Sequence, residues 1–437
     1  MFGYYLDMAR HSLGRNKVLT TLIMLAIGLG IGASMTMITV LHVLTDDPLP
    51  GRSSQLFTPH LDPLPLNYKQ RGDNPDPADN FTWPDAMALL KAHHASRQAA
   101  MAGGTLLVRP ARADQRPFEV DGRYSTADFF AMLGVPFEHG QGWSAADDAT
   151  RPHVVVLSDT LDRKLFGNQS GIGQTVRLGD HDFRVIGVTA DWQPKPMFYA
   201  DPGAQHYSDV DQFFLPLPVA VDLKLSSNNR QSSWGKNDDS NNLTDATMTW
   251  LQFWVQLDNP AQVQEYRQFL ADYSAQQKTL GRFERPPTEA QLYSLMGWLA
   301  HENLVPSDVR LQLWLALGFL AVCMVNIAAL LLAKFLRRSG EISVRRALGA
   351  RRRDIFLQLG TESALIGVAG GVLGLVIAQI GLWSVRHRPD DYAQMANMDM
   401  PMLLGTLALA IVTSLLAGLF PAWRACRVPP ALQLKTL

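Results

Sequence analysis

The chain has 437 residues, of which 39 are Lys or Arg and 40 are Asp or Glu, and its formal net charge is −1. This balance lacks the basic excess that nucleic-acid-binding proteins carry, so no nucleic-acid partner is predicted. Only two cysteines occur, Cys323 and Cys426, so a fold held together by disulfides is excluded.

Four long apolar runs without charges divide the chain. Asp, Glu, Lys and Arg are absent between Lys17 and Asp46, Arg310 and Lys334, Glu362 and Arg386, and Asp399 and Arg424. The shortest run, 311–333, has 23 residues and would extend about 35 Å as a helix, which is enough to cross a bilayer. We therefore predict four transmembrane helices, at 18–45, 311–333, 361–385 and 401–423.

The N-terminal residues 1–17 predict an amphipathic helix that lies on the membrane surface and leads into the first span. Its apolar stripe consists of Phe2, Tyr5, Leu6, Ala9 and Leu13. The first apolar run is much longer than the core of a cleaved signal peptide, so we expect it to remain as an anchor.

The segment 46–310 is long enough for a folded domain of two lobes outside the membrane. It contains no cysteine, so it must fold without disulfides. Alternating and helical patterns are mixed along it, which predicts an α+β fold. Predicted strands are at 104–109, 116–121, 154–157, 175–178, 183–188, 212–216 and 249–257, and predicted helices are at 82–92, 126–132, 160–166, 260–275 and 288–300. The polar stretch 225–245 is interpreted as a mobile loop.

A basic segment, 334–360, separates the second and third spans. If 341–355 is helical, Ile342, Leu348 and Ile355 can face apolar surroundings while its arginines reach lipid phosphates or acidic protein. Glu341 is the acidic exception, and it can cap the helix or pair with an arginine. The alternative is a membrane-surface helix that only fixes the topology.

Small and polar residues within the spans predict close helix packing. Glycines suited to backbone contact are Gly28 and Gly32 in the first span and Gly367, Gly370, Gly371 and Gly374 in the third. Asn326 and Gln379 need hydrogen-bond partners in lipid, so we expect both to face protein. No charged residue lies deep in a span, which disfavours ion-coupled transport.

The distribution of basic residues predicts the orientation. Residues 1–17, 334–358 and 424–437 together carry 14 basic residues and three acidic ones, whereas 46–310 carries 23 basic and 33 acidic residues. The positive-inside rule therefore predicts that both termini and 334–360 are cytoplasmic and that 46–310 and the short loop 386–400 are outside.

Sequence motifs for catalysis are absent. The chain has no H-E-x-x-H, no G-x-S-x-G and no G-x-x-x-x-G-K-[ST] motif. His93-His94 and His181-Asp182 lack metal-ligand spacing. We predict no catalytic site, no metal site and no ATP bound by this chain.

Two long stretches carry a resemblance to a known family. Residues 124–148 (YSTADFFAMLGVPFEHGQGWSAADD) and 154–188 resemble the periplasmic core domain of MacB-type ABC transporter permeases. Residues 323–378 resemble the FtsX-like permease domain, and the N-terminal stretch 10–34 and the tail PAWRACRVPPALQLK (421–435) are similar to the ends of that family. The resemblance implies an α-helical protein of the bacterial inner membrane, with four transmembrane helices and a large periplasmic α+β domain between the first and second.

The resemblance also implies partners. These are an ABC ATPase subunit that carries ATP and Mg, a second permease copy or a paralogous permease, membrane lipids, and a periplasmic adaptor with an outer-membrane exit duct. It implies that 341–355 docks into the ATPase through Glu341, Ile342, Val344, Arg345, Arg346, Leu348, Gly349, Ala350, Arg352 and Ile355.

The predicted function is that of a permease subunit, not an enzyme. The ATPase would drive motion of the periplasmic domain, a mode called mechanotransmission, in efflux or export of a periplasmic or lipid-borne substrate. Two alternatives stay open, a lipoprotein-extracting permease and an FtsX-like regulator of a cell-wall hydrolase. The size of the external domain favours transport over hydrolase regulation.

Overall fold

The structure is a computed structural model. It describes residues 17–69, 76–110, 116–167, 169–202, 210–235, 242–286, 291–303, 307–338, 340–341, 344–345, 348–388, 398 and 400–427. The chain divides into two compact units, a helical unit formed by Met1–Asp46 with Val305–Leu437 and an α+β unit formed by Asp47–Leu304. The predicted helix at 1–17, apart from Lys17, and most of 386–400 and 424–437 lie outside the described residues.

The described residues form eleven α-helices, two short 3₁₀ helices and twelve strands. The helices are α1 Lys17–Thr45, α2 Trp83–Ala92, α3 Asp128–Leu133, α4 Ala145–Thr150, α5 Asp159–Phe166, α6 Leu217–Asp222, α7 Pro260–Thr279, α8 Leu295–His301, α9 Ser307–Leu336, α10 Arg352–Arg386 and α11 Met400–Arg427, with 3₁₀ helices at Ser53–Gln55 and Pro77–Asp79. The strands are β1 Leu56–His60, β2 Phe81–Thr82, β3 Arg97–Arg109, β4 Phe118–Ser125, β5 Phe137–Gly140, β6 Val154–Ser158, β7 Thr175–Leu178, β8 His181–Thr189, β9 Phe213–Pro216, β10 Ser232–Ser233, β11 Met248–Gln256 and β12 Gln291–Ser294.

Four helices of the helical unit, α1, α9, α10 and α11, are long and apolar enough to cross a membrane by length and composition. α1 and α11 both pack against α9 and α10. Their shared core contains Ile27 of α1, Ile327 of α9 and Ile366 of α10, which are all fully buried. α10 has 35 residues and is therefore about 52 Å long, well beyond the thickness of a hydrocarbon core.

Glycines allow α1 and α10 to approach closely. A Cβ added to Gly32 would lie 2.6 Å from Cγ2 of Ile377, and one added to Gly370 would lie 2.6 Å from Cγ2 of Ile27. Gly28 meets Leu373 and Gly374 meets Ile31 in the same way, while Gly367 and Gly371 approach Ser414 and Ala410 of α11. The six glycines singled out in the sequence thus lie at two contacts, on two sides of α10.

The α+β unit is built on one large mixed sheet. Its strand order is β12-β1-β11-β3-β4-β9-β6-β8-β5, with β2 and β10 paired to β11 and β7 paired to β3 and β8. The β4–β9 and β6–β8 pairs are parallel, and the other pairs are antiparallel. Most of this sheet is formed by strands distant in sequence.

Both faces of the sheet are buried. Leu157 and Phe213 belong to one hydrophobic core, and their chain neighbours Val156 and Phe214 belong to a second core. Successive strand residues point to opposite faces, so the two cores lie on either side of the sheet. Helices α2, α5 and α7 contribute to the first core, and α3 and α8 contribute to the second.

The predicted strand, helix and hairpin over 154–188 are confirmed by β6, α5, β7 and β8. The helix predicted at 288–300 is wrong in its first half, because Gln291–Ser294 forms β12 and only Leu295–His301 is helical. Antiparallel pairing of Tyr293 with Thr58 of β1 draws these residues into the sheet. Ser294 then starts α8, since its side chain accepts a hydrogen bond from the backbone N–H of Gly297.

The prediction of a mobile loop at 225–245 is wrong for its first part. Asn229 is buried, and its side-chain amide donates to the carbonyl oxygen of Trp250 at 2.7 Å. Its side-chain oxygen accepts from the backbone N–H of Gly103 at 2.9 Å. The polar side chains of this stretch are therefore used as internal hydrogen-bond partners and do not mark solvent exposure.

Candidate functional site

The segment that joins α9 to α10 contains a break. Glu341 and Arg345 have helical backbone, but residues 348–349 form a turn and Arg351 is extended before α10 begins. Gly349 has a φ of +99°, a conformation that favours glycine. The sequence interpretation of 341–355 as one helix is therefore corrected to a helical turn, a glycine break and the start of α10.

A buried ion pair lies where the segment meets the helices. Nζ of Lys334 on α9 is 2.7 Å from Oε1 of Glu362 on α10, with side-chain exposures of 0% and 1%. Nζ of Lys334 also donates to Oγ1 of Thr20 on α1 at 3.3 Å. Three of the four long helices are thus joined through one ammonium group.

The ion pair continues into the segment. Arg338 donates from Nη1 to Oε2 of Glu362 at 3.2 Å, and its Nε lies 3.7 Å from Oε2 of Glu341. Arg345 donates from Nη2 to Oε1 of Glu341 at 2.7 Å and from Nη1 to Oε1 of Gln358 at 3.0 Å. The seven residues Thr20, Lys334, Arg338, Glu341, Arg345, Gln358 and Glu362 are called the charge network below.

The charge network runs from the interior to the surface. Lys334 and Glu362 are inaccessible, Arg338 has 16% side-chain exposure, and Glu341 and Arg345 have 36% and 33%. Positive and negative groups alternate along it, so each charge removed from water has an opposite charge beside it. The charge network therefore connects the accessible Glu341 and Arg345 with charges buried between α1, α9 and α10.

Apolar and basic side chains share the outer surface of this segment. Leu348 is 84% exposed and Val344 is 48% exposed, and Arg352 and Arg353 lie at the exposed start of α10. Exposed apolar groups next to basic groups are typical of a protein-binding surface. Gly349 forms the turn within this surface.

Two residues predicted to dock outwards are located elsewhere. Ile355 is 4% exposed and belongs to the core of the helical unit, and Ala350 packs against that core. The outward role assigned to Ile355 is corrected, because the start of α10 turns this face towards the bundle. Ile342 and Arg346 lie outside the described residues.

The sequence did not reveal the pairing of Lys334 with Glu362. Each residue marks the end of an apolar run, and each was interpreted as a boundary of a span. The available signal was the opposite charge at neighbouring ends of two consecutive spans. Sequence alone does not tell which helix face each side chain occupies, and only the packing brings the two together.

Asn326 and Gln379 do not face protein within this chain, so the prediction that both face protein stays a prediction about a partner molecule. Both side chains are exposed. Around Asn326 on α9, the apolar residues Phe319, Val322 and Val325 are exposed as well. Within a membrane, an amide on such a face needs a hydrogen-bond partner from another molecule.

The fold defines a multi-pass membrane protein with a large α+β domain between its first and second candidate spans. The family model of the MacB-like periplasmic core domain matches residues 20–273, and that of the FtsX-like permease C-terminal matches residues 314–430. The chain belongs to the MacB/FtsX-type permeases. The α+β unit is its periplasmic domain.

Relatives of this family are about a quarter identical. The chain is 26% identical over 382 residues to the pyoverdine export ATP-binding/permease protein PvdT of Pseudomonas entomophila. This alignment covers 84% of this chain and 50% of the relative. The chain is 24% identical over 437 residues to the macrolide export ATP-binding/permease protein MacB of Salmonella typhi. This alignment covers 98% of this chain and 60% of the relative. The chain thus spans only about half to three fifths of these relatives.

Among solved structures, the periplasmic region of MacB from Actinobacillus actinomycetemcomitans matches with 13% sequence identity and a TM-score of 0.36. The match covers 56% of this chain and 92% of that structure. Overlap at this level adds nothing to the family assignment, which rests on the sequence.

Proposed function

We propose that this chain is the permease subunit of an ABC transporter that exports a periplasmic or lipid-borne substrate. A separate ATPase, which carries ATP and Mg, hydrolyses ATP, and the chain transmits the resulting motion to its periplasmic domain. The names of the two relatives support export and an ATP-binding function in the complete systems. In this proposal the chain lies in the bacterial inner membrane. The distribution of basic residues supports an orientation with both termini and the segment before α10 in the cytoplasm.

The observation that carries this proposal is the charge network. A docking surface transmits motion only if it is mechanically joined to the helices that must move. Glu341 and Arg345 are accessible to a partner, and through Arg338 they connect with the ion pair of Lys334 and Glu362. A topology signal alone would need basic residues but no such connection.

The ATPase would bind the surface around this connection. Val344 and Leu348 offer apolar contacts, and Arg352 and Arg353 offer positive charge at the edge. Gly349 and Ala350 lie between the apolar pair and the basic pair, where the chain turns. We assign Ile342 and Arg346 to the same surface from the sequence resemblance.

Replacing Glu341 and Arg345 together with Ala should separate the ATPase from the permease. A charge-assisted contact at an interface contributes about 2–5 kcal/mol, so the affinity should fall at least about 30-fold. The measurement is the amount of ATPase that co-purifies with the tagged chain in mild detergent, identified by mass spectrometry.

The matched control for this experiment is Asp159→Ala with Arg163→Ala. This pair has the same i,i+4 spacing, with 2.6 Å between Nε of Arg163 and Oδ1 of Asp159, and it lies in the α+β unit. The control should retain the ATPase, and both variants should insert normally. Undiminished ATPase recovery with the Glu341 and Arg345 variant would refute the coupling role.

A second permease, either another copy of this chain or a paralogue, is the proposed partner of the exposed face of α9. Asn326 lies eight residues from Lys334, about 12 Å along the helix axis, and therefore well inside the hydrocarbon region. An interhelical hydrogen bond to the partner would satisfy its amide. The surrounding apolar side chains can face lipid at no cost, so Asn326 alone identifies this face.

Asn326→Leu should weaken the association of two copies about threefold or more, because interhelical hydrogen bonds in membranes contribute about 0.6–2 kcal/mol. Energy transfer between labelled copies in lipid vesicles, followed as the chain is diluted, measures this association. Gln379→Leu removes another exposed amide, which lies on α10, and should leave the association unchanged. If Gln379→Leu weakened the association and Asn326→Leu did not, the interface would lie on α10 instead of α9. If the unmodified chain did not self-associate, the partner would be the paralogue.

A further inference from the structure

Four side chains with metal-binding chemistry meet in the α+β unit, apart from the charge network. His60 is the last residue of β1, Asp79 ends the 3₁₀ helix Pro77–Asp79, and His301 ends α8 with Glu302 directly after it. Asp79, His301 and Glu302 each offer one ligand atom, and these atoms lie within 4.8 Å of one another. The sequence separates the contributing segments widely, which is why no spacing motif reveals them.

The two imidazoles converge on one carboxylate oxygen. Nε2 of His301 lies 3.0 Å from Oδ1 of Asp79, and Nε2 of His60 lies 3.5 Å from the same oxygen. Ligand atoms around a tetrahedral zinc ion, with bonds of about 2.0–2.2 Å, are about 3.3 Å apart. The distances from Oδ1 of Asp79 to the two imidazole nitrogens are therefore close to those between ligand atoms of such a site. Glu302 offers a further ligand atom, which lies within 4.8 Å of those of Asp79 and His301.

The scaffold holds the rings in position. The ring of Tyr293 stacks on His301 with 4.7 Å between centroids and meets His60 edge-on at 6.1 Å. Trp298 contacts the His301 ring from α8 at 5.4 Å. Pairing of β1 with β12 fixes His60 opposite Gln291. A site built on strand and helix ends with supported rings is preorganised for a ligand.

The Asp79 carboxylate and the His60 ring are shielded from solvent, with side-chain exposures of 4% and 12%. Nδ1 of His60 is buried without a hydrogen-bond partner among the described residues. Hydrogen bonds within the cluster therefore do not satisfy both nitrogens of this ring.

We propose that His60, Asp79, His301 and Glu302 form a binding site for Zn²⁺ in the periplasmic domain. Two imidazole nitrogens and two carboxylates suit zinc, whereas calcium and magnesium prefer all-oxygen sites with more ligands. The ion would tie β1, the 3₁₀ helix and the end of α8 together. This inference does not depend on the proposed transport function.

The test measures zinc binding by the full-length chain in mild detergent, purified without a histidine tag and stripped with EDTA. Competition with a chromogenic chelator gives the affinity, and elemental analysis after dialysis gives the stoichiometry. We expect one Zn²⁺ per chain, a zinc-dependent rise in Tm, and visible absorption typical of a tetrahedral site when Co²⁺ replaces zinc.

His301→Phe retains an aromatic ring against Tyr293 but removes Nε2, and Glu302→Gln removes a charge at a half-buried position. Each should lower the zinc affinity at least about 100-fold and abolish the rise in Tm, since even ligand-supporting residues change metal affinity by about 10–100-fold. His139→Phe, an exposed histidine of β5, is the control and should bind zinc normally.

The outcomes are decisive in either direction. No binding by the unmodified chain, or equal binding by all three variants, would overturn the proposal and leave the cluster as an ordinary ion pair. If His301→Phe fails to fold, as judged by circular dichroism, Glu302→Gln decides the question.

Discussion

Glu362→Gln should lower the free energy of unfolding of the helical unit by about 3–5 kcal/mol, because it leaves a buried charge without its counter-ion. Lys334 is fully inaccessible and its Nζ lies 2.7 Å from the Glu362 carboxylate. The remaining contact with the Thr20 hydroxyl cannot compensate a full charge. Less folded protein should therefore accumulate in the membrane.

The thiol of Cys323 reports this unfolding directly. Cys323 is 6% exposed in the core of the helical unit, and Cys426 is the other cysteine of the chain. In a Cys426→Ser background, the temperature at which Cys323 reacts with a thiol reagent should fall for Glu362→Gln. Asp182→Asn, which removes an exposed partner of Arg177, should change it little, since exposed pairs contribute about 0–1 kcal/mol.

A compensating double variant separates loss of charge balance from loss of packing. Lys334→Met with Glu362→Leu replaces the pair by apolar side chains of similar length, which for buried ion pairs is often neutral. The double variant should recover most of the stability lost by Glu362→Gln but not the coupling function. If the single and double variants were equally unstable, the ion pair would not be the source of the effect.

Gly32→Leu should also destabilise the helical unit, by about 1–3 kcal/mol or more, through overpacking. The new Cβ would lie 2.6 Å from Cγ2 of Ile377 and 3.1 Å from the carbonyl oxygen of Gly374. A backbone atom cannot move aside as a flexible side chain can, so α1 and α10 would have to separate. The Cys323 reactivity assay in the Cys426→Ser background measures the loss.

Gly405→Leu is the matched control for Gly32→Leu. It lies on α11, and a Cβ there meets no atom of the described residues within 4 Å. Leu favours helix over Gly by nearly 1 kcal/mol, so this substitution should be neutral or stabilising. We expect the change in stability to have opposite signs at Gly32 and Gly405. Equal changes would show that helix propensity, not contact, governs both positions.

The sequence predicted the fold class and the main elements because their signals are local. Four uncharged runs are visible without any contact information, and the strand, helix and hairpin over 154–188 follow from alternation and a Gly-Asp turn. β12 was missed because only its pairing with β1 makes 291–294 extended. The buried Asn229 was missed because polar composition normally indicates exposure.

The two candidate sites were harder to predict, because they depend on contacts between segments that are distant in sequence. Glu341 and Arg345 could be selected from the basic segment, since they stand four residues apart and i,i+4 pairing is a local property. The link from Glu341 to Glu362 through Arg338 depends on how α9 and α10 pack. The cluster of His60, Asp79 and His301 depends on a sheet register and two helix ends that no sequence pattern encodes.

The glycine contacts between α1 and α10 have a mechanical consequence. Ile27 and Ile31 sit over glycines of α10, and Leu373 and Ile377 sit over glycines of α1. Side chains of each helix fill the space beside glycines of the other helix, so neither helix can slide along the other unless the two first separate. The same constraint applies between α10 and α11, where Gly367 and Gly371 meet Ser414 and Ala410. Any sliding of α10 along either neighbour would therefore first require the helices to separate.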